Sequence, residues 1–245
     1  MKRLQTNPAF GQILARASLF TFDDFWSLRS QPFKKKPTRE IRWVKLDGRG
    51  FFLKKYFKLP YWRRGEAEVE WGGAFKLLKM GFSTPLPVAF GLEARLLAVR
   101  GFTMFQEAPG RRVEDWLRER FDPELVFHLA RVAGRFHAAG FSHQDFYFCH
   151  FFWEPQEKRV TIIDLGRLRH SSSPRKRWVI KDLAELFYSA RQTLSAEDLD
   201  SFKNIFWSEY KNWIPWATER GFLKRLEGKI KRIAQHDAKL KARSS

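Results

Sequence analysis

The sequence predicts an α+β chain in two lobes: an N-lobe, residues 1–108, with an antiparallel sheet and a helix, and a mainly helical C-lobe, residues 109–245. Three observations predict it. Residues 41–46 (IRWVKL) alternate, 47–50 (DGRG) have hairpin-turn chemistry, and 51–57 (FFLKKYF) resume as an aromatic strand. In the second half Leu125, Leu129, Val132, Ala133 and Phe136 recur at helical spacing, closed by Gly140. Between the two patterns Ala108-Pro109-Gly110 forms a turn, and the boundary is placed there.

In chain order, residues 21–28 are a short aromatic segment, and 31–39 (QPFKKKPTR) read as a basic loop broken by two prolines. The hairpin follows. Residues 66–80 carry acidic side chains early, basic ones late and Gly81 at the end, the charge order a helix prefers, although Gly72-Gly73 weaken it. Beyond the loop at 83–87 (STPLP), residues 88–91, 95–99 and 101–106 read as short strands. Helices are expected over 113–119 and 123–139, an irregular stretch over 141–150, and a hairpin from 151–153 and 160–163. Three more helices complete the chain, over 178–191, 196–210 and 222–241.

Composition narrows the function classes. The 245 residues carry 46 Lys+Arg against 27 Asp+Glu, a net charge of +19, so a polyanionic partner is the first inference. With 44% hydrophobic and 16% aromatic residues the charge sits on a folded body, which excludes a disordered basic tail. The single cysteine, Cys149, excludes an intrachain disulfide and a zinc knuckle, and fits a reducing compartment. Met1-Lys2-Arg3-Leu4 is basic, but polar residues from Gln5 and then Arg16 interrupt any apolar run, so no signal peptide is read. No stretch is long and apolar enough to span a bilayer, and the expectation is a soluble or peripheral protein.

Two aspartates stand in a frame that suggests catalysis: Asp145 in SHQD (142–145) and Asp164 in TIIDLG (161–166). Phosphoryl transfer needs one carboxylate near the acceptor hydroxyl and another on the metal that bridges the nucleotide phosphates. HQD matches the H-R-D catalytic loop at two of three positions, and DLG after an apolar strand matches D-F-G likewise. Either triplet alone is ordinarily a turn or a helix cap. Their order, with HAAG (137–140) before and a hairpin between, favours the catalytic reading.

The stretch 136–169, and above all DFYFCH at 145–150, resembles the lipopolysaccharide kinase (Kdo/WaaP) family, whose catalytic loop reads DFYLCH. Further matches are FLK (52–54), E-W followed by L-x-x-x-G-x-x-T-P within 70–85, and RWxxKDLAxLxxS at 177–189; the resemblance covers about residues 45–191. It implies a protein-kinase-like fold and ATP-dependent phosphorylation of a sugar, typically a heptose, in the lipopolysaccharide inner core. Carried over, it makes Asp145 the residue that accepts or orients the hydroxyl proton, Asp164 a metal ligand, Lys54 the strand lysine on the nucleotide phosphates and Glu70 its helix partner. Lys55 and Glu68 are the nearby alternatives. Residues 104–107 would be the hinge on adenine, with Met104, Gln106 and Glu107 as contacts. His143 and Asp182 are assigned to bracing the catalytic loop, and His137 to packing.

His150 occupies the place where protein kinases carry a metal-binding Asn; imidazole suits Mn²⁺ better than Mg²⁺, so His150 is expected on phosphate or a softer second ion. The basic QPFKKKPTR stands where a glycine-rich loop would be. A degenerate pseudokinase would look the same there, and that alternative stays open. The span from Asp164 to Asp182 is too short for a peptide-docking segment, which favours a small or glycolipid acceptor.

Three basic and aromatic clusters, 33–39, 54–64 and 222–243, carry much of the charge. In the last, Phe222, Leu223, Leu226, Ile230 and Ile233 read as an apolar stripe, ordinarily the packed face of a helix. The basic face fits an anionic glycolipid and the cytoplasmic face of the inner membrane. A nucleic-acid-binding protein is the competing class, but no such motif accompanies the charge.

Overall fold

The computed structural model describes residues 2–30, 32–59, 65–94 and 99–244. The chain divides into two compact units, one comprising Met1–Ala108 with Asp164–Gly166, the other Pro109–Ile163 with Arg167–Ser245.

The first unit is built on a six-stranded antiparallel sheet. Its strands are β1 (Lys2–Thr6), β2 (Pro32–Lys36), β3 (Arg39–Leu46), β4 (Arg49–Leu59), β5 (Pro87–Ala94) and β6 (Val99–Gln106), in the spatial order β1-β5-β6-β4-β3-β2. Helices α1 (Gly11–Arg16) and α2 (Phe22–Ser27) cover one face and α3 (Glu66–Lys79) packs on β5 and β6. The period of two explains which residues meet which helix. Phe51, Leu53, Phe102 and Met104 pack with Phe10, Leu14, Phe22 and Phe25, whereas Tyr56 and Phe90 pack with Ala67 of α3. Lys54 lies on the same side of β4 as Tyr56, opposite Thr103 of β6.

Two local differences from the sequence reading have physical reasons. The basic stretch expected as a loop supplies β2, an edge strand with every residue exposed, and only Pro37-Thr38 turn. With both faces solvated it lacks the alternation that marks a strand, and its lysines and Pro32 suit an unpaired sheet edge. The N-terminal β1 and α1 carried no sequence signal strong enough to read. The strand expected at 95–99 lies largely outside the described residues, as do residues 60–64 of the second basic cluster.

The second unit opens with β7 (Arg111–Arg112), α4 (Val113–Glu119) and α5 (Pro123–Ala138), whose N-terminus is capped by Asp122 accepting from the Leu125 N–H at 3.1 Å. Then come β8 (Phe141–Ser142), β9 (Phe151–Glu154), β10 (Arg159–Ile162) and β11 (Arg169–His170), with β9 and β10 the expected hairpin. Helices α6 (Lys176–Thr193), α7 (Ala196–Tyr210) and α8 (Arg220–Ser244) complete it. α5 packs on α7 and α6 on α8. Phe136 and Phe146 stack at 5.7 Å, and Phe187, Phe202 and Phe206 form a second aromatic group. On α8 the buried stripe is Phe222, Leu226 and Ile230, at i, i+4 and i+8; Leu223 falls off it and is exposed. Among the described residues no helix is long and apolar enough to cross a membrane.

Candidate active site

Lys54 donates to Oε1 of Glu70 at 2.5 Å and to Oδ1 of Asp164 at 2.9 Å. Its side chain is 11% exposed and that of Glu70 3%. Burial pushes the Lys54 ammonium down, but the two carboxylates outweigh it and its pKa ends above the ordinary value. The second Glu70 oxygen accepts from the Tyr56 hydroxyl at 3.0 Å and the Thr103 hydroxyl at 2.9 Å. Burial first, then the Glu70 charge, holds Tyr56 protonated far above its ordinary range. Strand alternation and the fifth position of α3 thus converge on one buried ion pair with every lone pair of one oxygen engaged. A lysine so placed holds a fixed positive charge where anionic phosphates would need it.

The alternatives separate cleanly. Lys55 points to the opposite side of β4 and donates to the carbonyls of Trp26 and Leu28, with burial and then Arg42 lowering its pKa to about 8. Glu68 caps its own helix, accepting from the Gly65 N–H at 3.3 Å.

In the second unit, the segment 142–150 is suspended from α6. Asp182 accepts from the N–H groups of His143 at 2.7 Å and Gln144 at 2.9 Å, and from the Ser142 hydroxyl at 2.9 Å. It is fully buried, and its carboxylate also faces His137 Nε2 at 3.3 Å. Burial raises its pKa, but the hydrogen bonds and the histidines overcome that and leave it below the ordinary value. One turn on, Glu185 accepts from the Phe146 N–H at 2.9 Å; another turn on, the Ser189 hydroxyl accepts from the Phe148 N–H at 3.2 Å. Lys181 binds the Gln144 carbonyl and pairs with Glu185. Burial raises the Glu185 pKa despite that pairing.

This suspension sustains an unusual backbone. Gln144 has φ 67°, in the left-handed region, which costs a non-glycine residue on the order of 1 kcal/mol. The strained residue immediately precedes Asp145, whose carboxylate is about one-third exposed. His150 donates from Nδ1 to the Asp145 carbonyl at 2.6 Å, so a neutral ring carries its lone pair on Nε2. His143 donates from Nε2 to the Ile163 carbonyl at 2.8 Å, and the Ile163 N–H donates to the His150 carbonyl at 3.0 Å. The residue before Asp164 is therefore held by both of its backbone groups. Asp164 itself adopts φ 59°.

His137 is buried with Nδ1 2.7 Å from the Tyr210 hydroxyl, a packing role. Asp182 lies in the second turn of α6, which begins at Lys176. Glu185 and Ser189 escaped the sequence reading, although their spacing from Asp182, i+3 and i+7 on one helix face, was the available signal. At 104–107, Met104 is fully buried and paired on both sides with Leu53 and Ala89. The N–H groups of Gln106 and Glu107 donate to the carbonyls of Leu86 and Gly50, each at 2.9 Å. Glu107 also accepts from the Trp43 indole at 3.0 Å. The Ala108 N–H has no hydrogen-bond partner among the described residues.

The chain is 30% identical to the lipopolysaccharide core heptose(I) kinase WaaP of Pseudomonas aeruginosa, over 69% of this chain and 73% of that relative. It is 25% identical to the enzyme of the same name from Escherichia coli, over 87% of this chain and 91% of that relative. A solved structure of WaaP in complex with acyl carrier protein aligns with TM-score 0.70 and 27% identity, covering 94% of this chain and 98% of that one. An aminoglycoside-3'-phosphotransferase of type VIII aligns with TM-score 0.57 at 16% identity, covering 85% of this chain and 98% of that one, a likeness of fold. The fold is thus protein-kinase-like. With the lipopolysaccharide kinase (Kdo/WaaP) family model matching residues 23–206, three-quarters of the sequence, the chain belongs to that family.

Proposed function

We propose that the protein transfers the γ-phosphoryl group of ATP to a heptose hydroxyl of the lipopolysaccharide inner core. The Lys54–Glu70 pair, with Asp164 on the same ammonium, carries the reading, because a buried lysine so neutralised has no packing purpose that an apolar side chain would not serve better. The curated relatives named as heptose(I) kinases supply the acceptor class.

Asp145 orients the acceptor hydroxyl and takes its proton as the oxygen attacks. Lys54 holds the phosphates, and Glu70 keeps Lys54 extended toward them. Adenine is read at residues 104–108. The N–H groups of Gln106 and Glu107 are engaged in the sheet, so the Ala108 N–H is the donor for the base, with Met104 behind it in the core. A divalent metal, when bound, neutralises charge on the transferring phosphoryl oxygens. The donors suit it: Asp164 offers hard carboxylate oxygen, and His150, whose Nδ1 donates to the Asp145 carbonyl, offers imidazole nitrogen, which suits Mn²⁺ or a phosphate contact; Mg²⁺ would rest on the carboxylate. The lysines of β2 serve the phosphates in place of a glycine-rich loop.

The basic surface is assigned to the anionic core and to peripheral attachment at the cytoplasmic face of the inner membrane. Acyl carrier protein, which accompanies the solved relative, is a further partner to test by co-purification. The decisive experiment incubates the purified protein with ATP, metal and dephosphorylated core and looks by mass spectrometry for one added phosphate that Asp145→Asn abolishes. Transfer to protein, or no binding of nucleotide, overturns the reading.

A further inference from the structure

The second unit holds a cavity of about 550 Å³ walled by α6, α8 and β11. Arg169, Arg177, Lys181, Arg225, Lys229 and Arg232 line it, and no carboxylate does. Helical spacing produces this concentration. Arg177 and Lys181 are i and i+4 on α6; Arg225, Lys229 and Arg232 are i, i+4 and i+7 on α8, flanking the buried stripe of Phe222, Leu226 and Ile230 that fixes the helix.

Like charges at these spacings repel, and of the six only Lys181 is relieved by a salt bridge among the described residues. Lys181 is engaged by Glu185, but among the described residues no carboxylate pairs with Arg169, Arg177, Arg225, Lys229 or Arg232. Trp178 forms part of the wall and lies under the guanidinium groups of Arg169 at 5.5 Å and Arg177 at 5.7 Å, which holds them spread. Such an array is unfavourable alone and becomes favourable when oxyanions enter; guanidinium forks suit carboxylate and phosphate oxygens. Gln144 also lines the cavity, and the next residue is Asp145. The volume suits a small saccharide.

We propose that this cavity is the subsite for the carboxylate or phosphate groups of the acceptor saccharide, and that it sets the register in which a neighbouring hydroxyl meets Asp145. The proposal rests on the sugar-kinase reading above and adds to it the residues that recognise the acceptor. Nucleotide phosphates are assigned elsewhere, to Lys54, so acceptor and nucleotide binding separate.

The test uses the full chain and the double variant Arg225→Glu/Lys229→Glu, with Arg225→Gln/Lys229→Gln as the milder second pair and circular dichroism as the check of folding. Binding of deacylated core oligosaccharide that lacks phosphate only at the acceptor heptose is measured by calorimetry, and KM for core and for ATP by phosphate transfer. At least a tenfold rise in core Kd and KM is expected for the Glu pair and a smaller rise for the Gln pair, with the ATP KM within twofold. Unchanged core binding in a folded variant overturns the subsite while wild-type transfer still upholds the kinase. A wild-type protein that neither binds nor phosphorylates core overturns both. Phosphatidylglycerol vesicles form the last arm: a variant that loses vesicles but keeps core assigns the cavity to lipid headgroups and overturns the proposal.

Discussion

In the first unit charge meets charge; in the second it meets backbone. Lys54 is buried against Glu70 and Asp164, so its position depends on opposite charges that can be removed together. Asp182 and Glu185 are satisfied largely by the N–H groups of His143, Gln144 and Phe146, which among substitutions only proline would delete. Paired charges are therefore exchangeable in part for apolar packing as far as stability is concerned, though not for function, whereas a carboxylate that organises a loop is not. The first arrangement tunes a charge, and the second shapes a chain.

The largest effect is expected at the residue the second arrangement presents. Asp145→Asn should lower kcat by about 10³ or more while leaving nucleotide affinity within a few-fold, read by phosphate transfer and by nucleotide titration. Retained transfer would remove Asp145 from the chemistry. Next, Asp182→Ala should destabilise the protein by about 3 kcal/mol in denaturant unfolding, since two N–H groups, one of them fully buried, a hydroxyl and a histidine lose one acceptor. A loss below about 1 kcal/mol would mean that the loop does not depend on this carboxylate.

Lys54→Met should cost about 3 kcal/mol by leaving Glu70 buried without its cation, and Lys54→Met/Glu70→Leu should recover part of that stability, since it also strips the Tyr56 and Thr103 hydroxyls of their acceptor, without recovering activity. Failure of the second substitution to restore stability would erase the distinction between the two units. The pH dependence should separate them as well. Asp182 has a depressed pKa, so its contribution is present above its unfolded value near 3.8 and is lost as pH falls through the lower folded value. Lys54 has a raised one, so its contribution is present below about 10.5 and is lost as pH climbs through the folded value. Thermal melts should show Asp182→Asn flattening the acid limb and Lys54→Met/Glu70→Leu flattening the alkaline limb. The smallest effect is expected for Glu185→Gln, within about 1 kcal/mol at neutral pH, because burial already disfavours its charge and the amide oxygen still accepts from Phe146.

The hairpin bearing Lys54 was legible because alternation, a DG turn and an acidic helix start agree on one structure. DFYFCH marked the segment 145–150 through its resemblance to the family's loop, a string in which Phe146 and Phe148 are set by packing while Asp145 and His150 are not in the core. Strand β2 was not legible, because an exposed edge imposes no pattern on Lys34, Lys35 and Lys36. Neither was the engagement of Gln106 and Glu107, because which backbone groups a sheet consumes depends on register, which these side chains do not encode. Glu185 and Ser189 fall between: their spacing was visible, but their partners are amides of another segment.

The placement of Asp182 inside α6 has a consequence for how this chain can vary over generations. Lys181, Asp182, Glu185 and Ser189 all reach the segment 142–150 from one helix, so a single inserted residue between Lys181 and Ser189 would rotate those beyond it by about 100° and detach their anchors together. Lineages should therefore accept length changes in the turns at either end of this helix, around 171–175 and 194–195, and none between 181 and 189. The helix acts as a ruler whose divisions are inherited as one block.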